Sequence, residues 1–425
     1  DSGAGLFFYR TNNSLIQDIT VFNIMGQGIL LQTSSSNNII SINSTNNYDG
    51  LSIKSSSSNN IISNSTFKEG VGPYTPAGIS VSGGTNNTFH SISVLDNDYG
   101  LKLENSNNNS FHIFNATRNS VDGIYIDNSS SNNFTTIFSL NNTLEGISLL
   151  DGSGYNIFND ITSDDNYDGV IICHPSGNCY NNKFSNLRLH DNNDTGGSGI
   201  IMGWGAVNNI FSDINISRGF YGVLISRGEN NSFYNVSTSS NTEARIFLDS
   251  VTNSSFYNLT SIYSAYGIKI TNDPSYISFR DLYLKGNDVG FLLEGGSSNN
   301  SFKNSYIETG TNGIKIQENS FNNNFYNGTI VNQGIGIILN EAHNNTFFNF
   351  NLYSIDDCNL DISGEYGTSS GNLLGYNNSL GEIKFHNLPL EDAYSCSIST
   401  EYLIFGGGVQ INNNSAYVNS VALSD

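Results

Sequence analysis

The densest acidic group in this 425-residue chain is Asp164, Asp165 and Asp168. Carboxylates this close could hold a hard cation such as Ca²⁺ or exchange protons in acid–base chemistry. The same pre-glycine turn recurs with Asp49, Asp98, Asp122 and Asp288. A turn that repeats is a scaffold feature and a weak place for a unique active site. Asp356-Asp357 stands alone, and Glu145, Glu229 and Glu243 have no evident partner. The histidines, His90, His112, His174, His190, His343 and His386, do not fall at metal-ligand spacing. His90 and His112 sit where they could stack. No Ser/His/Asp set, phosphate loop or Cys-x-x-Cys stands in the chain. These residues lead to the expectation of a protein that is not an enzyme, with no catalytic residues and no cofactor beyond a structural Ca²⁺ at Asp164, Asp165 and Asp168.

The cysteines and asparagines carry a different chemistry. Cys173 and Cys179 bracket a short step, and Cys358 and Cys396 lie near the end. An even count favours two disulfides, Cys173–Cys179 and Cys358–Cys396, over metal ligation. Asn-x-Ser/Thr sequons are frequent, and the glycosylation candidates are Asn115, Asn141, Asn193, Asn215, Asn235, Asn258, Asn327, Asn377 and Asn413. Some other sequons belong to the Asn-rich turns, where an asparagine pointing inward could carry no glycan. Both features point to an extracellular, cell-surface setting.

The elements that hold these residues follow from a period. Phe89, Phe111, Phe134, Phe158, Phe184, Phe211, Phe233, Phe256, Phe279, Phe302, Phe325 and Phe347 recur mostly at 22 to 24 residues, each after an Asn-rich turn. A second ladder, glycine followed by apolar-x-apolar, keeps the same step from Gly28-Ile29-Leu30-Leu31 onward. Arg245 and Asn359 take the glycine place in two coils, and Gly381-Glu382-Ile383-Lys384-Phe385 reads as one further, shifted coil. A third apolar pair follows each Phe. Period-two alternation marks strands with one buried face, and the glycine suits a turn needing positive φ or close approach. The fold class expected is all-β: a right-handed single-stranded parallel β-helix of roughly sixteen or seventeen coils of about 23 residues, three strands per coil. Turn asparagines should form inward amide ladders. The β-helix should cover 1–388, and 389–425 should form a short C-terminal β-rich tail.

Only 12% of residues are charged, and the net charge is −21, which excludes a general affinity for nucleic acid or anionic membrane. No stretch is long and apolar enough to span a bilayer, and the chain, opening at Asp1, reads as a mature or trimmed product. Two steps of the period are enlarged, Gly50 to Gly78 and Gly169 to Gly199. The outward residue of the glycine strand turns apolar at Ile171, Ile201, Leu224 and Phe247. Such a column is expected to be covered, either by the chain's own enlarged loop or by another subunit. The first coil, Leu6-Phe7-Phe8, exposes strand edges, and Tyr402, Ile404, Val409, Ile411 and Tyr417 could pair with that edge in a neighbour. Tyr257, Tyr263, Tyr266 and Tyr283 could line a groove for surface glycans.

The Gly-Ile-x-Ile … Asn-Asn-x-Phe coil resembles the right-handed β-helix repeats of pectate-lyase-like and NosD-like surface proteins over residues 1–388. The tail Ile411-Asn412-Asn413-Asn414-Ser415-Ala416-Tyr417-Val418 is similar to segments of large archaeal cell-surface proteins. The resemblance implies a surface-layer, adhesive or appendage role, or, for some members, an enzyme. The leading expectation is a self-assembling extracellular subunit, a homopolymer joined head to tail. A carbohydrate-binding adhesin, or a polysaccharide lyase or hydrolase, is the alternative.

Overall fold

A computed structural model describes residues 3–193, 195–353 and the strands Cys358–Ser363, Ser369–Leu374, Lys384–Phe385 and Thr400–Ile404. The chain divides into two compact units, Asp1–Gly219 and Phe220–Asp425. Among the described residues every regular element is a strand, and no helix is long and apolar enough to cross a membrane.

In the first unit, the glycine strands run from Leu6–Tyr9 to Ser198–Val207, each parallel to its successor one coil on. The same pattern holds within the second unit, from Tyr221–Ser226 to Cys358–Ser363. Register is strict: Phe89 faces Phe111 and Phe111 faces Phe134. The expected second and third strands usually form one eight-residue segment, such as Thr88–Leu95 or Ser255–Ile262. That segment is bent at one left-handed residue, Ser91 (φ 55°), Asp160 (φ 56°) or Asn258 (φ 52°). Asn and Asp tolerate this region better than other L-residues, which explains their frequency at the bend.

The phenylalanine ladder is the core. All twelve rings are fully buried. In the first unit they stack near-parallel at 4.5–4.8 Å from Phe89 to Phe211. In the second they stack at 4.4–5.1 Å from Phe233 to Phe347. Each burial contributes about 1.5–3 kcal/mol, and ring–ring contact adds about 0.5–1.5 kcal/mol.

Turn asparagines satisfy what the strands leave open. Asn37, Asn60, Asn87, Asn109, Asn132, Asn156 and Asn182 form a buried ladder, in which the backbone N–H and the side-chain amide of one both donate to Oδ1 of the next. A second ladder joins Asn97, Asn119, Asn142, Asn166 and Asn192. The repeated glycine is there for close approach. A Cβ at Gly123 would lie 1.9 Å from Ser139 Oγ and 2.8 Å from the Gly146 carbonyl. Arg245, in the glycine place, is wholly buried, and its guanidinium donates to Asn241 Oδ1 and to the Ile262 carbonyl. Ser264 stands at the next ladder position and offers no amide oxygen, and Asn241 Nδ2, which would donate to one, has no hydrogen-bond partner.

One sequence expectation needs correction: Lys384–Phe385 pairs with Asn351 and Leu352 on the bent segment, not with a glycine strand. Of the two readings of the apolar outward column, cover by the chain itself holds at Ile171 and Ile201, which are 6% and 7% exposed. Their strands are prolonged, Asp168–Tyr180 against Ser198–Val207, and Cys173 and Cys179 close a disulfide there with a Cα–Cα distance of 5.7 Å. Leu224 and Phe247 are half-buried, with Tyr221 stacked 5.2 Å from Phe247 and Lys269 Nζ 5.5 Å from its ring.

Candidate functional site

The position directly after each ladder Phe points outward. In the first unit it holds His90, His112, Thr135, Asn159, Ser185 and Ser212; in the second it holds Tyr234, Tyr257, Arg280, Lys303, Tyr326 and Phe348. Strand register sets the last six side by side, coil on coil. Tyr234 and Tyr257 stack at 5.2 Å and 5°, and Lys303 Nζ lies 5.7 Å from the Tyr326 ring centre. Arg280 and Lys303 are exposed, while Phe348 is buried. Beyond the bend, Tyr283 and Tyr306 stack at 5.5 Å. Tyr283 Oη donates to Glu308, which also pairs with Lys285 at 3.0 Å. These contacts hold the Glu308 carboxyl below its ordinary range, through the Lys285 hydrogen bond first. The result is a solvent-facing stripe of flat rings and cations on a rigid sheet. Such a surface stacks on planar or CH-rich faces and pairs with anions.

The expected tyrosine groove does not form as one site. Tyr257 and Tyr283 flank the bend, whereas Tyr266 lies on the glycine strand under Lys269 Nζ (4.9 Å) and Tyr263 lies in the turn between. The stripe escaped sequence reading, although tabulating the residue after each Phe would have found it. His90 and His112 do stack, at 5.1 Å.

The pre-glycine carboxylates are stitches between coils. Asp49 Oδ1 accepts from Ala77 N at 3.1 Å, Asp122 Oδ1 from Glu145 N at 3.3 Å, and Asp168 Oδ1 from Ser198 N at 2.6 Å. Burial raises Asp49, takes Asp168 to about 7, and, with Glu145 alongside, takes Asp122 to about 8. Asp164 serves elsewhere, accepting from His190 N at 3.0 Å and pairing with Arg188, and burial raises it too. Asp165 sits in the left-handed turn (φ 56°). The structure does not gather Asp164, Asp165 and Asp168 into a Ca²⁺ cage, and among the described residues no three His, Cys, Asp or Glu side chains cluster for a metal.

A groove of about 360 Å³ in the first unit is lined by Phe138, Asp160, Thr162, Asn186, Arg188 and Asp213, with Asn186 donating to Asp160 at 2.9 Å.

The sequons resolve cleanly. Asn115, Asn141, Asn215, Asn235, Asn258 and Asn327 are exposed, and Asn193 is half-buried with Oδ1 accepting from Thr195. In the Asn-Asn turns the sequon is the first asparagine, which is exposed (Asn86, Asn108), while the second is the buried ladder member (Asn87, Asn109). The inward ladder asparagine is thus not the sequon residue, and the ladder leaves these sequons open to solvent. Of the assembly candidates, Leu6 and Phe8 are half-buried and Phe7 is 56% exposed. Tyr402 and Ile404 lie in a strand paired with Ser369–Leu373 of the same chain. Asn377, Cys396, Val409, Ile411, Asn413 and Tyr417 lie outside the described residues, as does the side chain of Cys358.

Residues 4–158 match the family model described as right handed beta helix region. No curated protein matches the chain at a significant level. Three solved structures are similar at low identity. The catalytic domain of a GH87 α-1,3-glucanase in complex with tetrasaccharides shares 14% identity over 86% of this chain and 64% of its own, with TM-score 0.34. The periplasmic alginate epimerase AlgG shares 13% over 81% and 75%, with TM-score 0.36. The pre-mature gene product 12 of bacteriophage phi29 shares 12% over 87% and 71%, with TM-score 0.39. This chain thus spans less than two thirds of the glucanase domain. The glucanase and the epimerase are enzymes, which corrects the expectation of a non-enzyme: a coil pattern found on catalysts is no ground for excluding catalysis. By its match over residues 4–158 and its coil-upon-coil parallel pairing, the chain folds as a right-handed parallel β-helix.

Proposed function

We propose that this chain is an extracellular carbohydrate-binding β-helix that holds a linear glycan along the outward face of its second unit. One observation carries this reading: Tyr234, Tyr257, Arg280, Lys303 and Tyr326 occupy one surface position on successive coils, where the first unit has small polar residues and histidines. Stacked rings offer flat apolar area to sugar faces at little entropic cost, because they are already immobilised by their neighbours. The disulfide and the exposed sequons support the extracellular setting. The filament-subunit reading loses part of its motivation, since Ile171 and Ile201 are covered within the chain.

The test is a glycan array with the whole chain and Tyr257→Ala. Selective binding that weakens about tenfold in the variant, as loss of a ring worth about 1–2 kcal/mol predicts, supports the proposal. Equal binding by both proteins, or binding to no glycan, rejects it.

A further inference from the structure

We infer that the second unit encloses one small monovalent anion, of the halide class, inside its coil at Arg245 and Asn241. Arg245 is wholly buried and Asn241 is 3% exposed. The guanidinium donates through Nη1 to Asn241 Oδ1 at 2.6 Å and through Nη2 to the Ile262 carbonyl. Both acceptors are neutral. Among the described residues no carboxylate pairs with Arg245, and burial alone pulls its pKa down, to about 9, which leaves it charged at neutral pH. A buried charge with no counter-charge is strongly unfavourable.

The same two side chains hold the orphaned donors of this coil. Neither Arg245 Nε nor Asn241 Nδ2 has a hydrogen-bond partner. In regular coils the ladder amide donates to the next asparagine oxygen, as Asn142 Nδ2 does to Asn166 Oδ1. After Asn241 the next ladder residue is Ser264, which turns its hydroxyl to the Tyr266 carbonyl and Asn287 Oδ1. An added Cβ at Gly267 would meet Asn287 Nδ2 at 3.1 Å. Arg245 faces the shorter Ser264 in the matching place, which gives its side chain room. The arrangement offers one positive charge and two free N–H donors, and it calls for an acceptor that carries charge. A water would bring two protons of its own, while Asn241 Oδ1 and the Ile262 carbonyl already receive the guanidinium. A divalent anion would leave a net negative charge buried. A polyatomic one would bring more acceptor sites than two donors satisfy. A halide only accepts, and it balances the single charge.

The test unfolds the whole chain in urea, followed by circular dichroism, at chloride from about 1 to about 300 mM, with gluconate holding ionic strength constant. One ion bound only by the folded chain should lower the unfolding equilibrium constant about tenfold for each tenfold rise in chloride once the site fills. Arg245→Gly, which restores the residue that most coils carry at this place, should lose that dependence. A crystal of the unaltered chain grown in bromide should show an anomalous peak at Arg245 Nε and Asn241 Nδ2. Chloride dependence of equal size in both proteins, or none in the unaltered chain, overturns the inference. So does a crystal in which water, or nothing, lies against those two donors.

Discussion

Replacing Asp168 with asparagine should stabilise the protein above neutral pH and flatten its pH dependence. Asp168 is 3% exposed, accepts the Ser198 N–H at 2.6 Å, and has its pKa raised to about 7, by burial first and then by repulsion from Glu145. An acid raised in the fold keeps its proton after the unfolded chain has lost it near 3.8. The folded state therefore binds more protons across the interval from 3.8 to about 7, and stability falls as pH rises through that interval, then levels off. About three pH units at about 1.4 kcal/mol each set an upper figure of about 4 kcal/mol. Asparagine retains the oxygen that accepts from Ser198 and never ionises. The variant should match the wild type near pH 4 and exceed it by up to about 4 kcal/mol at pH 8. Asp122, raised to about 8, stays in the variant and keeps a residual slope. Urea unfolding between about pH 4.5 and 8.5, followed by circular dichroism, reads both curves. Identical slopes, or a variant less stable than the wild type at pH 8, would refute the assignment of a buried, proton-holding carboxyl.

Two further predictions address the scaffold. Asn132→Ala deletes the acceptor of Asn109 N and Nδ2 and the donor to Ser106 O and Asn156 Oδ1. It leaves several buried polar groups unpaired and should cost about 3 kcal/mol or more, whereas Ala at the exposed neighbour Asn133 should stay within about 0.5 kcal/mol in the same melts. Reducing Cys173–Cys179, or replacing both with serine, opens a loop of sequence separation 6 and should cost about 2 kcal/mol by loop entropy. Unchanged melting with and without reductant would show that the prolonged strand pair needs no covalent closure.

Much of the scaffold was legible in the chain because a solenoid turns sequence distance into contact. Residues one period apart are neighbours, so Phe111 and Phe134, or Asn109 and Asn132, could be paired by counting, and the structure stacks them. The stripe was legible in the same way, at the residue after each Phe. The Cys173–Cys179 bond followed from proximity. What counting could not supply was the environment of the outer face. Ile171 and Ser52 occupy equivalent outward positions and both are buried, whereas Ser80 and Lys102 at that same position are half-buried. The acidic group read as Asp164, Asp165 and Asp168 is divided among different backbone partners.

The sequence by itself therefore determined the coil, its period, the stacked aromatic interior and the amide ladders, since each depends on like residues recurring one step apart. Only the tertiary structure decided which asparagine of a pair faces water, which outward apolar residues are covered, and which carboxyls keep their protons. Those properties depend on desolvation, which sums over every atom packed nearby and is written in no single repeat.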